Sequence, residues 1–283
     1  MNLILENICS IIVTYDPDLE VLSRVLAAAS FQTDFVLIVD NASTNISGIE
    51  DMIKNFSRVT ILRNKFNKGL AAALNYGIHF ALNHINPSWF LILDQDSILD
   101  LNAVKTMRLR LEHHPSISSV GIIHIAYHTN PRDNVPPLVS KKYVINSGSI
   151  VLASIYSQVK YRNEFFVDAI DFDFCYSVRH IGYEILESSN GLMTTQFGEG
   201  IGRFKSYSTK RLFGVTRNMT ILLLEGKVNL VIWGLLILDM FRASLRGNSL
   251  RASSRTTIYA LLEGIAYSLF HSSLQDAALD GKN

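Results

Sequence analysis

The sequence predicts an α/β fold, a mostly parallel sheet covered by helices on both faces and followed by a C-terminal helical extension. Three observations predict it. Short apolar runs alternate with segments of helical spacing over residues 9–94, in the order strand, helix, strand, helix, strand, helix, strand. That alternation favours parallel strands joined by crossovers. The run WFLILDQDS, residues 89–97, holds four consecutive large apolar residues, Phe90 to Leu93, as in a strand buried on both faces. Finally, two of the runs deliver an acid, Asp40 and Asp94, at their C-terminal ends. In open α/β sheets that edge is where ligands bind, because loops converge there without breaking the ladder.

Residues 9–15 (CSIIVTY) read as the first strand, ended by Asp16-Pro17. Leu19, Leu22, Val25, Leu26 and Ala29 then recur at helical spacing. The second strand, Phe35 to Val39, runs into Asp40-Asn41, and Ala42 to Ser47 reads as a polar loop. A third strand, Val59 to Leu62, ends in Arg63-Asn64, and NKGLAAALNYGIHFAL follows, with Leu70, Leu74, Ile78 and Leu82 on one helix face. Beyond Asp96 the pattern predicts a helix from Leu101 to His114, a strand from Val120 to Ala126 and a polar, Pro-rich surface loop from His128 to Ser140. Strand character returns from Tyr143 to Ile155, where Gly148 points to close approach of the backbone to a neighbour or ligand. FFVDAIDFDF then sets Asp168, Asp171 and Asp173 before and within the first turn of a helix that ends at Gly182.

Two acid groups carry the chemistry. A carboxylate at a buried strand end costs several kcal/mol on the order given for isolated ions, and a divalent cation offsets that cost. Mg²⁺ or Mn²⁺ prefers one or two carboxylates plus substrate phosphates, which suits Asp94 and Asp96 to a diphosphate-bearing substrate. The competing reading is that this pair only starts the turn into the next helix. For Asp168, Asp171 and Asp173, the plain reading is helix-dipole stabilisation of roughly 0.3 to 1 kcal/mol each. The functional reading is a general base whose pKa rises beside Phe165-Phe166. No Gly-x-Gly-x-x-Gly follows the first strand, and Gly198, Gly200 and Gly202 come too late to form one. Phosphates must then be held by metal and side chains.

Composition sets outer bounds. The 283 residues accommodate one large α/β domain plus an extension, and 48% apolar content excludes disorder. A net charge of +1 hides an asymmetry: residues 1–202 carry 15 Lys/Arg against 20 Asp/Glu, and residues 203–255 carry 10 against 2. The first part reads as an acidic catalytic body, the second as a basic surface, and no nucleic-acid partner is expected. Cys9 and Cys175 sit in apolar settings, which fits reduced structural thiols in the cytosol. Residues 1–10 lack the basic start and small-residue cleavage site of a signal peptide.

In the C-terminal part, Val228 to Phe241 is apolar nearly all round but only 14 residues long, too short to span a bilayer unaided. Arg242, Arg246, Arg251 and Arg255 follow, and a second apolar run, Ile258 to Phe270, contains Glu263. Both runs read either as buried core helices or as helices lying on a membrane surface.

Together TYDPD, VDNAS, NKGLAAALNYG, DQDS and FFVDAIDFDFCYSVRHIGY resemble the inverting glycosyltransferases of family 2, most closely the bacterial rhamnosyltransferases of O-antigen and cell-surface polysaccharide synthesis. The likeness runs through residues 8–218 in consistent order. It implies a glycosyltransferase-A fold over residues 1–212, with 213–283 as a basic, membrane-associated helical extension. By that likeness Thr14, Tyr15, Asp40, Asn41, Lys68, Gly69 and Asp94 bind the nucleotide-sugar, with Asp40 at the base, and Asp96 with Asp94 holds Mg²⁺ or Mn²⁺. Asp171 matches the catalytic base, with Asp168, Asp173 and Phe166 on the acceptor side or supporting it. The implied reaction moves L-rhamnose from dTDP-L-rhamnose onto a lipid-linked saccharide at the cytoplasmic face of the bacterial inner membrane, with the protein attached peripherally. Galactofuranose or N-acetylhexosamine transfer, or a non-catalytic scaffold keeping the fold, are the alternatives. Two departures bear on activity: Thr195 stands where the family usually has a His, sometimes a third metal ligand, and Ser177 where an Arg is usual. Arg217-Asn218 matches a pair usual in these rhamnosyltransferases.

Overall fold

The strands are β1 (Ile8–Thr14), β2 (Phe35–Asp40), β3 (Val59–Arg63), β4 (Trp89–Asp94), β5 (Ser97–Leu99), β6 (Val120–His124), β7 (Leu138–Ser140), β8 (Ser149–Leu152), β9 (Glu184–Ser188) and β10 (Met193–Thr195). The helices are α1 (Leu19–Gln32), α2 (Ile46–Ile53), α3 (Leu70–His84), α4 (Ala103–Glu112), α5 (Ile170–His180), α6 (Thr209–Leu224), α7 (Leu230–Leu245) and α8 (Leu250–Asp280). The computed structural model describes residues 5–128, 136–195 and 208–280. By contacts the chain forms two units, Met1–Asn163 with Phe174–Ile201, and Glu164–Asp173 with Gly202–Asn283.

In the first unit, eight strands make one sheet in the order β3-β2-β1-β4-β8-β6-β9-β7. The four strands before Asp94 are mutually parallel, as the alternation predicts, while β8 runs antiparallel to both β4 and β6. From Trp89 to Leu93 every residue of β4 is buried, because helices cover both faces. On one side, Leu22, Val25 and Leu26 of α1 pack with Ile12, Ile38 and Leu91. Asp18 caps α1 by accepting from the N–H groups of Glu20 and Val21. In α3 the buried face is Ala71, Leu74, Gly77, Ile78 and Ala81, with Leu70 and Leu82 only half-buried. Small residues bring that helix close: a Cβ on Gly77 would lie 2.6 Å from Val39 Cγ2.

Four local expectations change. The segment after Asp96 does not enter a helix at Leu101; β5 intervenes, paired antiparallel with β10, and α4 starts at Ala103. Asp94 and Asp96 therefore flank the step between two strands rather than opening a helical turn. The polar stretch Ala42 to Ser47 gives way to α2 at Ile46. The strand expected from Tyr143 to Ile155 shortens to β8, followed by a 3₁₀ turn, Ala153–Ser157. Of the polar loop, residues 129–135 lie outside the described residues, as do Gly198, Gly200 and Gly202, while Leu138–Ser140 is a strand on β9.

Gly148 has φ +87°, and a Cβ there would stand 2.5 Å from the Ile125 carbonyl oxygen. Its close approach is to neighbouring backbone. Gly148→Ala is expected to destabilise the first unit by about 2–5 kcal/mol, from left-handed strain plus overpacking. Chemical denaturation read against the unmodified chain checks this.

The second unit is built on α6, whose Leu212, Val215, Met219, Ile221 and Leu222 are buried. A Cβ on Gly264 of α8 would come within 2.9 Å of the Arg217 carbonyl of α6, so these helices meet backbone to backbone. On α7 and α8 much apolar surface stays exposed, including Val231, Leu235, Leu238, Ile258, Leu262, Ile265 and Leu269. Among the described residues no helix is long and apolar enough to cross a membrane.

Candidate active site

The strand order fixes where the first unit can hold a ligand. From β1 the chain moves outward to β2 and β3, then returns to place β4 on the other side of β1. Loops leaving β1 and β4 diverge at that reversal, and the crevice they open is the expected ligand site of an open parallel sheet. Thr14 and Tyr15 end β1, and Asp94 and Asp96 follow the end of β4. Gln95 joins the two ends: its Oε1 accepts from the Tyr15 N–H at 2.8 Å and its Nε2 donates to the Tyr15 carbonyl at 3.3 Å. The two sequence motifs, 80 positions apart, thus meet at the switch point.

Asp40 and Asn41 set the walls of this edge. Asp40 is buried; it accepts from the Thr14 hydroxyl at 3.0 Å and from the N–H groups of Ala42 and Ser43. Its carboxylate therefore braces the loops after β1 and β2. Asn41, also buried, donates to Asn67 and the Gly69 carbonyl and accepts from Asn64 and the Lys68 N–H. That one side chain ties the loops after β2 and β3 to the start of α3. Gly69, at φ +85°, caps α3 in a conformation that favours glycine. The Lys68 ammonium lies over the rings of Phe66 and Tyr76, 5.6 and 5.8 Å from their centroids. Tyr15 remains half-exposed.

Beneath the acid pair is a polar network. Ser147 Oγ accepts from the Asp94 N–H at 2.9 Å and donates to Ser97 Oγ at 2.8 Å, which in turn meets the Tyr127 hydroxyl at 2.7 Å. Burial, then the negative charge of Asp94 and less so of Asp96, pushes the Tyr127 phenol up to about 12. Buried His124 contacts the Glu187 carboxylate through Nδ1 and the Ser147 carbonyl through Nε2. Glu187 also pairs with Lys141 at 2.8 Å. Burial would raise the Glu187 carboxyl, but the bonds from His124 and Lys141 outweigh it and hold it at about 2.

Thr195, on β10 opposite Ser97, donates from Oγ1 to Asp96 Oδ2 at 3.3 Å. The position where a family histidine is usual thus falls beside Asp96. Two carboxylates and a hydroxyl are hard oxygen donors, and they fit Mg²⁺ or Mn²⁺ completed by phosphate and water. Among the described residues no group of three His, Cys, Asp or Glu side chains could hold a metal by itself.

The second unit contains the other acids. Asp168 and Ala169, at φ +46° and +64°, turn the chain into α5. Burial pushes the Asp168 carboxyl above the ordinary carboxylate range, and Arg211, bonded at 3.0 to 3.3 Å through Nε and Nη2, pulls it partly back. Asp173, buried, accepts from Lys227 Nζ at 2.6 Å. Burial would lower the Lys227 ammonium, but Asp173 and then Glu225 raise it above its ordinary value. Asp171, between them, accepts from the Phe172 N–H at 3.0 Å. Phe165 is fully buried, and Phe166 is exposed beneath the Lys210 ammonium. Asp168→Asn should therefore act on stability. Removing one partner of this partly exposed pair is expected to cost about 1–3 kcal/mol, less than the loss from a fully buried pair. A thermal melt checks it.

Sequence reading missed Gln95, Ser147, Tyr127 and His124, which brace the acid pair. Their signal is weak, since a Ser or Gln in a loop carries no periodicity. It also took Arg211 and Lys227 for surface charge, whereas both neutralise acids brought close only by the fold.

The family model described as Glycosyl transferase family 2 matches residues 9–178, more than half of the chain. The dTDP-rhamnosyl transferase RfbF of Shigella flexneri is 27% identical over 198 residues, 64% of this chain and 65% of that protein, just under two thirds of its length. Among solved structures, S. aureus TarS residues 1–349 matches 91% of this chain and 80% of that one, with TM-score 0.55 and 13% identity. GalNAc-T7 with UDP, GalNAc and Mn²⁺ matches 79% of this chain and 48% of that one, with TM-score 0.60 and 11% identity. The mannosyltransferase PcManGT of Pyrobaculum calidifontis, in complex with GDP-Man and Mn²⁺, matches 96% and 86%, with TM-score 0.51 and 14% identity. These likenesses establish the glycosyltransferase-A fold expected from the motifs.

Proposed function

Because the chain belongs to glycosyl transferase family 2, we propose that it is an inverting transferase moving L-rhamnose from dTDP-L-rhamnose onto a lipid-linked saccharide in surface polysaccharide synthesis. The observation that carries this reading is the acid pair at the switch point, joined to the end of β1 through Gln95. The rhamnose assignment is supported by the RfbF likeness. Two structural neighbours hold Mn²⁺ together with a nucleotide or nucleotide-sugar, which supports a divalent ion here, where Asp96 and Asp94 would hold it. When bound, Mg²⁺ or Mn²⁺ supplies positive charge for the departing diphosphate.

The chain's own residues divide the work. Thr14, Tyr15, Asn41, Lys68 and Gly69 shape the nucleotide side, with Asp40 bracing the loops. Asp171 takes the proton from the acceptor hydroxyl as its oxygen bonds to the anomeric carbon and the diphosphate leaves from the opposite face, which inverts that centre. Asp168 and Asp173 support the segment through their ion pairs. Residues 1–212 form the catalytic domain in this reading and 213–283 the extension. The donor is tested by comparing nucleotide release from dTDP-L-rhamnose, a UDP-galactofuranose and a UDP-N-acetylhexosamine. Fastest turnover of dTDP-L-rhamnose is the expected result, and preference for either UDP-sugar reassigns the sugar.

The extension attaches the protein peripherally to the cytoplasmic face of the inner membrane. Ile258, Leu262, Ile265 and Leu269 form an exposed stripe at helical spacing on α8, and Val231, Leu235, Leu238 and Leu245 form one on α7. Arg242 is exposed beside them, within 3.8 Å of the equally exposed Asp239, and each basic residue near anionic lipid contributes about 1 kcal/mol. Arg211, Arg217 and Lys227 are engaged by Asp168, Glu263 and Asp173, so the attraction comes from the remaining basic residues. Membrane fractions should release the protein on washing with high salt and then carbonate; retention through both would mean a spanning hairpin, and a wholly soluble protein would mean that lipid does not cover these stripes.

A further inference from the structure

The acid-bearing segment Glu164–Asp173 and the helices α6 to α8 belong to one compact unit. Within it, Asn218 occupies a particular place. It is buried, at 3% exposure, and its Nδ2 donates to two successive backbone carbonyls, Val167 at 3.2 Å and Asp168 at 3.0 Å. Those carbonyls belong to the turn in which Asp168 and Ala169 adopt left-handed conformations, each costing on the order of 1–3 kcal/mol outside glycine. A strained turn persists only when its surroundings over-determine it. Here Asn218 holds the backbone of the turn, and Arg211 holds the Asp168 side chain. Three residues beyond Asp168 is Asp171, in the first turn of α5.

The orientation of the Asn218 amide is itself determined. Arg217 Nη1 donates to Asn218 Oδ1 at 2.9 Å, which leaves Nδ2 to face the carbonyls. Arg217 is fixed from α8, through Nε to Glu263 at 3.2 Å and by its guanidinium over the Tyr267 ring at 4.9 Å. An amide held in one rotamer and donating twice sets the direction in which α5 leaves the turn, hence the position of the Asp171 carboxylate.

We propose that Asn218, oriented by Arg217, is a positioning residue for the Asp171 carboxylate. This rests on Asp171 as the base. Misplacing a reacting group by about 1 Å costs up to about 100-fold in rate. Asn218→Asp keeps the acceptor for Arg217 and removes both donated bonds. It should lower kcat by about 10- to 100-fold.

The test is a double-mutant comparison on the full chain. It reads nucleotide release from whichever donor of the panel above the unmodified chain turns over fastest, with dTDP affinity and melting temperature measured alongside. Asn218→Asp alone is expected to lower kcat with dTDP affinity unchanged, and to add less than about twofold in the Asp171→Asn background, because residues acting as a unit are non-additive. The same factor lost again in that background, an unchanged kcat, or an equal loss of dTDP affinity would overturn the proposal. Asn218→Ser, which keeps one donor, is read in the same way if Asn218→Asp does not fold, with a smaller loss expected. A kcat loss in Asn218→Asp alongside full activity in Asp171→Asn would instead remove the base assignment, and with it the route by which Asn218 acts.

Discussion

Asp171→Asn is expected to lower kcat by about 100-fold to 10,000-fold, the usual worth of a positioned general base, while dTDP affinity stays within about twofold of the unmodified chain, because a base contributes only once the acceptor proton is in flight. Three acids compete for this role in the sequence. Asp168 is held by Arg211 and Asp173 by Lys227, so each already serves an ion pair inside the second unit. Steady-state kinetics on folded Asp168→Asn and Asp171→Asn variants decides between them. An inactive Asp168→Asn beside an active Asp171→Asn would move the base to the start of the turn.

The second large effect concerns Asp96. Asp96→Asn is expected to weaken dTDP binding in the presence of Mn²⁺ or Mg²⁺ by at least about 100-fold, the upper end of what losing even an outer-shell partner costs a metal site. Asp94→Asn should cost less, about 10-fold. The asymmetry follows from the surroundings. Asp96 has its Oδ2 oriented by the Thr195 hydroxyl, whereas Asp94 closes β4 with an exposed side chain. With Asp94 and Asp96 as the carboxylates proposed for the ion among the described residues, losing one would remove half of that charge. Calorimetric titration with and without metal reads the difference. Equal dTDP affinity in both conditions for the unmodified chain would remove the metal from the account.

The parallel half of the sheet was legible because its strands are buried on both faces and so read as unbroken apolar runs. The switch point was not, since strand order is set by which crossover goes which way, and no local pattern encodes it. Ser97–Leu99 and Met193–Thr195 escaped notice for a different reason: three residues show no period. The acids of both groups stood out because carboxylates at the end of an apolar run conflict with burial. What neutralises or braces them lies 40 to 100 positions away, as Arg211 does for Asp168 and Thr195 for Asp96. Such pairs become visible only when the chain folds. The charge asymmetry of residues 203–255 was read as surface for the same reason, although part of it is spent inside the second unit.

Turnover of a nucleotide-sugar by this chain with a divalent ion at Asp94 and Asp96 is tested by measuring dTDP release from dTDP-L-rhamnose by the full chain in Mn²⁺ or Mg²⁺ and in chelator. Release is expected with metal, with none above background in chelator and none above background from Asp96→Asn in either condition. Release at the same rate with metal, with chelator and from Asp96→Asn would contradict it, and so would a folded chain that binds dTDP yet releases none from any donor.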